Sequence, residues 1–296
     1  MQEKIINKKP SLIEFQNRKV FTIRESGRSS DYITPSFGFG CLLDCYYCYL
    51  KRHKPTGVSI AKNVGSILTA INNHAYFYSD IDKPNQTDDT YVTYDLSCNE
   101  DFALHAKYHD WETIFDFFKN HPVAKATFAT KIIPLDFLNY DPKKKVRIRF
   151  SLMPQEISSI LEPKTAKIID RIKAIDAFID AGYDVHINFS PVVVYDNWLK
   201  DYEELFNMVD QYVTYKSDVK SEVIFLTHNE GKHNFNLENH KNGEHLLWRP
   251  ELQEHKISQY GAKNLRYKAY LKKGYIEEFK KLHNSIIPWN FIRYCF

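Results

Sequence analysis

The sequence lacks a long apolar run, since nothing in it approaches the roughly 18 to 20 apolar residues that a membrane-spanning helix needs. Its opening, MQEKIINKKP, has no apolar stretch of the signal-peptide kind. The expectations are no membrane and a cytoplasmic location. Charge of one sign is also missing: 40 basic against 37 acidic side chains leave +3, which does not by itself imply nucleic acid, although a local patch can. Cysteine is sparse. The five cysteines are an odd number and three of them crowd into positions 41 to 48, which fits a reducing compartment with thiol ligands better than a disulfide framework. Internal repeats and low-complexity tracts are absent as well. What remains is ordinary globular material, 43% hydrophobic and 26% charged over 296 residues, long enough for one α/β barrel or two modest domains. Aromatics make up 15%, with twenty Tyr and twenty Phe, and they serve equally as core or as stacking platforms for bases.

Periodicity orders the chain. Six short segments rich in β-branched and aromatic residues read as strands: Tyr32 to Phe37, Tyr91 to Leu96, Ala126 to Lys131, Val146 to Leu152, Val185 to Val194 and Val223 to Thr227. Helical patterns separate most of them. The clearest runs from Lys164 to Ala181, with Ile168, Ile169, Ile172, Ile175, Phe178 and Ile179 as one apolar stripe and Gly182 at the C-terminal cap. A second runs from Trp198 to Tyr215, with Tyr202, Leu205, Phe206, Val209 and Tyr212 inward. Strand, helix, strand at this spacing implies βαβ units and a parallel sheet. Six units fall short of a closed barrel, so the expected α/β fold is a partial (β/α)6 barrel with its functional face at the C-terminal ends of the strands. The domain reading is an N-terminal cap over 1–30, the barrel over 31–230 and a C-terminal extension over 231–296. Within that extension Lys256 to Lys281 holds eight Lys or Arg against two Glu, interleaved with Tyr260, Tyr267, Tyr270 and Tyr275. A solvated helical face is the plain explanation of that stretch.

The strongest motif is Gly40-Cys41-Leu42-Leu43-Asp44-Cys45-Tyr46-Tyr47-Cys48-Tyr49, a C-x3-C-x2-C spacing directly after the first strand. Three thiolates on one short loop can converge on one small metal centre. Zinc sites usually draw four ligands from paired C-x2-C hooks, and no second hook exists. Three sulfurs fit a 4Fe-4S cluster with one iron left open, where a small molecule can bind and react.

The motif resembles that of the radical S-adenosylmethionine (SAM) superfamily. The resemblance implies that Cys41, Cys45 and Cys48 hold the cluster, that SAM chelates the open iron, and that reduction cleaves SAM to a 5'-deoxyadenosyl radical. A narrower similarity is to the spore photoproduct lyase family, whose loop places an aromatic residue on each side of the third cysteine, here Tyr47 and Tyr49. Tyr94-Asp95-Leu96-Ser97-Cys98-Asn99-Glu100-Asp101 resembles that family's Ser-Cys-Thr-Ser-Asp stretch and aligns Cys98 with its hydrogen-donating cysteine. Phe128 to Lys131, Arg147 to Ser151, Glu162-Pro163 and the run from Ala181 through Ser190-Pro191 to Trp198 follow in the family's order. The match covers roughly residues 35 to 215.

This resemblance implies roles residue by residue. Lys131, Ser151 and Tyr49 would hold SAM, Cys98 would return hydrogen to the product, and Tyr47 and Tyr49 would relay the thiyl's reduction. Arg266, Tyr267 and Lys268 are the loose match to the part that grips DNA. The implied reaction reverses a 5-thyminyl-5,6-dihydrothymine lesion in DNA, with an electron donor such as flavodoxin or ferredoxin. Against each role stands packing or solvation: a strand-end lysine, a loop tyrosine, a small buried thiol. Cys295, next to the last residue, is expected to be neither ligand nor donor, because chain ends are usually mobile. One departure is Glu100, where the family has a small hydroxyl residue two places after the donor cysteine. Two other readings stay open: a radical SAM enzyme acting on RNA, a peptide or a metabolite, and a non-catalytic metal-binding protein.

Overall fold

The computed structural model describes residues 12–50, 54, 56–79, 81–85, 87–257, 261 and 263–296. Its strands and helices run in chain order as β1 (Ile13–Gln16), β2 (Arg24–Glu25), β3 (Tyr32–Ile33), β4 (Gly38–Gly40), β5 (Val58–Ala61), α1 (Val64–Phe77), β6 (Val92–Asp95), α2 (Phe102–His105), α3 (Trp111–Asn120), β7 (Ala124–Thr130), β8 (Val146–Leu152), α4 (Gln155–Leu161), α5 (Ile168–Asp180), β9 (Asp184–Val192), α6 (Trp198–Tyr212), β10 (Lys220–Phe225), β11 (Thr227–Asn229), α7 (Glu230–Asn239), α8 (Lys241–Leu247), β12 (Gln253–Ile257), β13 (Lys263–Tyr267), α9 (Ala269–Ile286) and β14 (Phe291–Cys295). The main sheet has eight strands in the order β14-β10-β9-β8-β7-β6-β3-β2. All its pairs are parallel except β2 with β3. The six strand segments read from the sequence follow one another in it, and the sheet curls into a half-barrel of the (β/α)6 kind with one added strand on each edge.

Side-chain alternation decides what the half-barrel holds. Along β8, Arg147, Arg149 and Ser151 point inward, while Ile148, Phe150 and Leu152 turn to the helices, and Phe150 meets Phe178 of α5 edge-on at 5.3 Å. The outer face is the apolar core: Phe128, Phe150, Ile187, Phe189 and Val223 are fully buried under α3, α5, α6 and α9. Each such side chain contributes about 1.5–3 kcal/mol by leaving water. Gly182, at φ +91°, ends α5 as expected, and Tyr183 N–H reaches back to Phe178 O at 3.0 Å.

Two expectations change, the start of the clearest helix and the setting of Cys295. The helix read from Lys164 begins only at Ile168, because Ala166 N–H donates to Lys131 O (3.0 Å) and Thr165 N–H to Glu162 O (3.2 Å), which holds 164–167 in a turn. Residues 231–296 pack into the rest of the fold. Helix α9 packs Phe279 against Tyr202 and Phe206 of α6 at 5.2 and 5.3 Å, and β14 joins the main sheet beside β10. Cys295 therefore sits half-buried in a strand, not at a mobile end, and burial pushes its thiol up to about 11. The cap is likewise stitched in, with β1 pairing β5 and β2 pairing β3, while residues 1–11 lie outside the described residues. Among the described residues no helix is long and apolar enough to cross a membrane.

Candidate active site

The thiol loop leaves the end of β4 and sits at the C-terminal edge of the sheet. Cys41 and Cys45 are buried with Leu43 and Leu50 in a small apolar cluster of their own, and Cys48 is half-buried beside them. Leu43 N–H points at Cys41 Sγ from 3.4 Å. Burial pushes the Cys41 thiol up to about 12 and the Cys45 thiol well above its usual range, so ligation has to stabilise the thiolates. Apolar burial and an N–H aimed at sulfur fit an iron–sulfur cluster held by Cys41, Cys45 and Cys48.

The loop after β6 is bound directly to the thiol loop. Tyr49 donates its hydroxyl to Cys98 O at 2.8 Å, and Gly40 N–H donates to Asn99 O at 3.0 Å. Arg24 Nη2 lies 3.7 Å from Cys98 Sγ. Burial and Asp95 push the Cys98 thiol up while Arg24 pulls it down, and the net rise keeps its S–H at neutral pH. Asp101 fastens this loop to the end of β7: its carboxylate receives Thr130 Oγ1 at 2.9 Å, Lys131 N–H at 3.1 Å and, as the cap of α2, Leu104 N–H at 3.1 Å.

Tyr47 turns the other way. Its hydroxyl bonds Glu162, whose Oε1 lies 3.9 Å from Lys131 Nζ, and Lys131 sits 5.7 Å over the Tyr47 ring. The other Glu162 oxygen receives Arg171 Nη2 at 3.1 Å and Ser158 Oγ at 3.2 Å. Arg171 is fully buried and also donates to Ser151 O at 2.7 Å. Ser151 Oγ in turn receives Asn188 Nδ2 at 3.4 Å. Glu162 and Arg171 thus tie Tyr47, Lys131 and Ser151 into one unit, and reading the sequence assigned neither a site role. The signal for Arg171 was visible as a charge on the same helical face as Ile168, Ile175 and Phe178.

Glu100 does not face this mouth. It is buried, and its Oε2 holds both His105 Nδ1 (2.9 Å) and His109 Nε2 (3.0 Å). The departure from the family pattern therefore supports the loop from below.

The suggested DNA contacts divide. Tyr267 is 1% exposed, and its hydroxyl accepts Val194 N–H at 2.8 Å, so it is a core residue and the expectation of a surface contact is corrected. An inward position on β13 placed it there. Arg266 pairs with Glu254 across the β12–β13 hairpin at 2.9 Å, and Lys268 Nζ bonds Glu251 O at 2.8 Å. Beside them a groove of about 430 Å³ is lined in part by Arg266, Lys272, Lys273 and Lys280, with Ile276 and the Glu277 carboxylate. The stretch from Lys256 to Lys281 is thus part hairpin and part helix, not one helical face, and Tyr260 lies outside the described residues.

Comparison with known proteins places this geometry. Spore photoproduct lyase of Bacillus subtilis (strain 168) is 26% identical over 214 residues, covering 70% of this chain and 58% of the relative. The enzyme of the same name from Clostridium acetobutylicum is 27% identical over 180 residues, covering 60% and 51%. The chain thus spans a little over half the length of these curated relatives. A solved spore photoproduct lyase complexed with dinucleoside spore photoproduct superposes with a TM-score of 0.85 at 19% identity, over 100% of this chain and 88% of the other. A variant of it with bound AdoMet and the same dinucleoside gives 0.84 at 18% identity, with the same coverage. Both share the fold. The spore photoproduct lyase family profile matches residues 2–296, and the chain belongs to that family.

Proposed function

We propose that this chain is a radical SAM lyase that reverses 5-thyminyl-5,6-dihydrothymine in DNA. The observation that carries the reading is the direct seat of the Cys98 loop on the thiol loop, through Tyr49 to Cys98 O and Gly40 to Asn99 O. A hydrogen donor beside a radical source suits a redox-neutral repair. A 4Fe-4S cluster on Cys41, Cys45 and Cys48 with SAM, when bound, supplies a 5'-deoxyadenosyl radical able to take hydrogen from carbon 6 of the lesion. The protein's own residues do the rest. Lys131 and Ser151, held by Glu162 and Arg171, and Tyr49 at the loop's rim are the proposed SAM contacts. Cys98 keeps its S–H and gives the hydrogen atom to the thymine radical left after the methylene bridge opens. Tyr49, whose hydroxyl bonds Cys98 O, and Tyr47 are the proposed relay that reduces the thiyl, and the hydrogen would come back from 5'-deoxyadenosine so that SAM is re-formed. The lesion must leave the base stack to reach this mouth.

The basic groove of Arg266, Lys272, Lys273 and Lys280, with Lys268 near it, is the proposed backbone contact to DNA. Flavodoxin or ferredoxin is the proposed electron donor and the cytoplasm the proposed location. The test is anaerobic reconstitution with SAM and a lesion-bearing dinucleotide. Release of two intact thymines supports the reading, and SAM cleavage without any thymine release overturns the substrate.

A further inference from the structure

Behind the thiol loop lies a second group of ligand-type side chains, which the proposed reaction does not use. His228 lies in β11 and is fully buried, His233 stands on α7 with its side chain 16% exposed, and Glu244 on α8 is buried. Their ligand atoms all lie within 4.8 Å of one another. Glu244 Oε1 is 2.9 Å from His228 Nε2 and 2.5 Å from His233 Nδ1. Glu244 Oε2 accepts Asn236 Nδ2 at 2.6 Å, and the His233 ring stacks on Trp248 at 4.0 Å with an 11° tilt. Two side-chain atoms in this nest, Asn236 Oδ1 and His228 Nδ1, are buried without a hydrogen-bond partner.

Hydrogen bonding alone accounts poorly for this arrangement. Two imidazoles share one carboxylate oxygen while Asn236 Oδ1 stays buried without a partner. We propose that His228, His233 and Glu244 bind a divalent transition-metal ion of the zinc class. Zinc bonds of about 2.0–2.1 Å set tetrahedral edges of about 3.3 Å, which the 2.9 and 2.5 Å separations of Glu244 from the two histidines reach by small outward shifts. Two imidazole ligands select against magnesium and calcium. Asn236 supplies the outer contact that orients the carboxylate, and its Oδ1 is buried without a hydrogen-bond partner. The partly exposed edge of His233 gives the ion its way in.

The ion would act as a rivet. Asn236 Nδ2 also donates to Tyr46 O at 2.8 Å, the Tyr46 ring stacks on His240 at 4.3 Å, and a Cβ on Gly243 would come within 2.7 Å of that ring. Helices α7 and α8 therefore clasp the residue next to Cys45, and a metal between them would hold the clasp closed against the thiol loop. The inference stands whether or not the lyase reading does.

The experiment is metal analysis of the full chain, then cobalt(II) titration followed by its visible d–d absorption. The titration uses the Cys41→Ala, Cys45→Ala, Cys48→Ala background so that cluster iron does not absorb. One zinc per chain and a saturable cobalt band are expected. His233→Ala should weaken cobalt binding at least about 100-fold and Asn236→Ala about 10- to 100-fold. Because Glu244→Gln can disturb folding, His233→Ala at the exposed edge, with unchanged far-ultraviolet circular dichroism, is the deciding variant. No zinc and no cobalt band in the parent chain, or the same cobalt affinity in His233→Ala, overturns the site.

Discussion

The two ends of the half-barrel's interior are built on opposite plans. Toward the N-terminal ends of the strands cations and carboxylates meet in pairs. Lys125 Nζ lies 2.7 Å from Asp88 and 2.6 Å from Asp184, and Arg147 reaches the same two carboxylates at 3.1 and 2.7 Å. One layer higher, Arg149 joins Asp95 at 2.6 Å to Glu222 at 3.3 Å. Toward the C-terminal ends thiols and hydroxyls join the charged groups: Cys41, Cys45, Cys48, Cys98, Ser151 and Tyr49 stand with Lys131 and with the Glu162–Arg171 pair. The lower end neutralises itself in ion pairs beside a pocket of about 490 Å³ lined in part by Asp88, Arg147 and Arg293, while the upper end keeps reactive groups at an edge. That division teaches where to look for loss of stability and where for loss of chemistry in a barrel of this kind.

Removing the reactive plan altogether should have the largest effect. The triple change Cys41→Ala, Cys45→Ala, Cys48→Ala is expected to abolish bound iron and SAM cleavage, with Cys98 and Cys295 unable to substitute; iron and sulfide analysis after reconstitution checks it, and full iron content would sink the cluster assignment. Breaking the paired layer should instead cost stability. Arg149→Met leaves Asp95 and Glu222 short of their buried cation, and a loss of about 3–5 kcal/mol in urea unfolding is expected; a loss under about 1 kcal/mol would mean that this layer does not hold the barrel together.

The same layer predicts the acid response. Burial pushes the Glu222 carboxyl up, but Arg149, His186 and Arg293 pull it down harder, to about 2 from 4.5. A carboxyl lowered in the folded state contributes stability that is fully present above 4.5 and is lost as pH falls toward about 2. That contribution is on the order of 3 kcal/mol. Unfolding measured against pH should show a flatter acid limb in Glu222→Gln, and an unchanged slope would assign the acid response to other carboxylates.

At the rim the effects are smaller in energy and more specific in kind. Neutralising Arg266, Lys268, Lys272 and Lys273 should weaken DNA binding and lower the salt slope by about 0.9 for each phosphate no longer neutralised. A slope that does not move would leave the groove as a solvated surface. Cys98→Ala should cost only about 1 kcal/mol of stability as a small cavity. The variant should still bind iron, cleave SAM and open the lesion, but repaired thymine should fall while abnormal adducts rise. Normal thymine alone at a reduced rate would end the donor role.

Order along the chain was legible from the residues themselves. β-Branched segments at helix-spaced intervals marked all six central strands in sequence order, since a parallel sheet needs such crossovers between its buried strands. The thiol loop was legible for the same local reason: its spacing is short enough that three sulfurs share one turn of chain. Residues whose role depends on distant partners were not. Tyr267 looked like a tyrosine in a basic stretch until the fold brought Val194, 73 residues away, to its hydroxyl. Glu162 and Arg171 became the support for Tyr47, Lys131 and Ser151, and Glu100 turned inward onto two histidines. The placement of β14 beside β10 is fastened by pairs remote in sequence, such as Arg293 with Glu222, 71 residues apart. Local pattern sets which backbone conformation a segment takes, because propensity and periodicity act over a few residues. Which charge is neutralised, which thiol is reachable and which tyrosine is core depend on long-range pairing, and only the folded chain decided them.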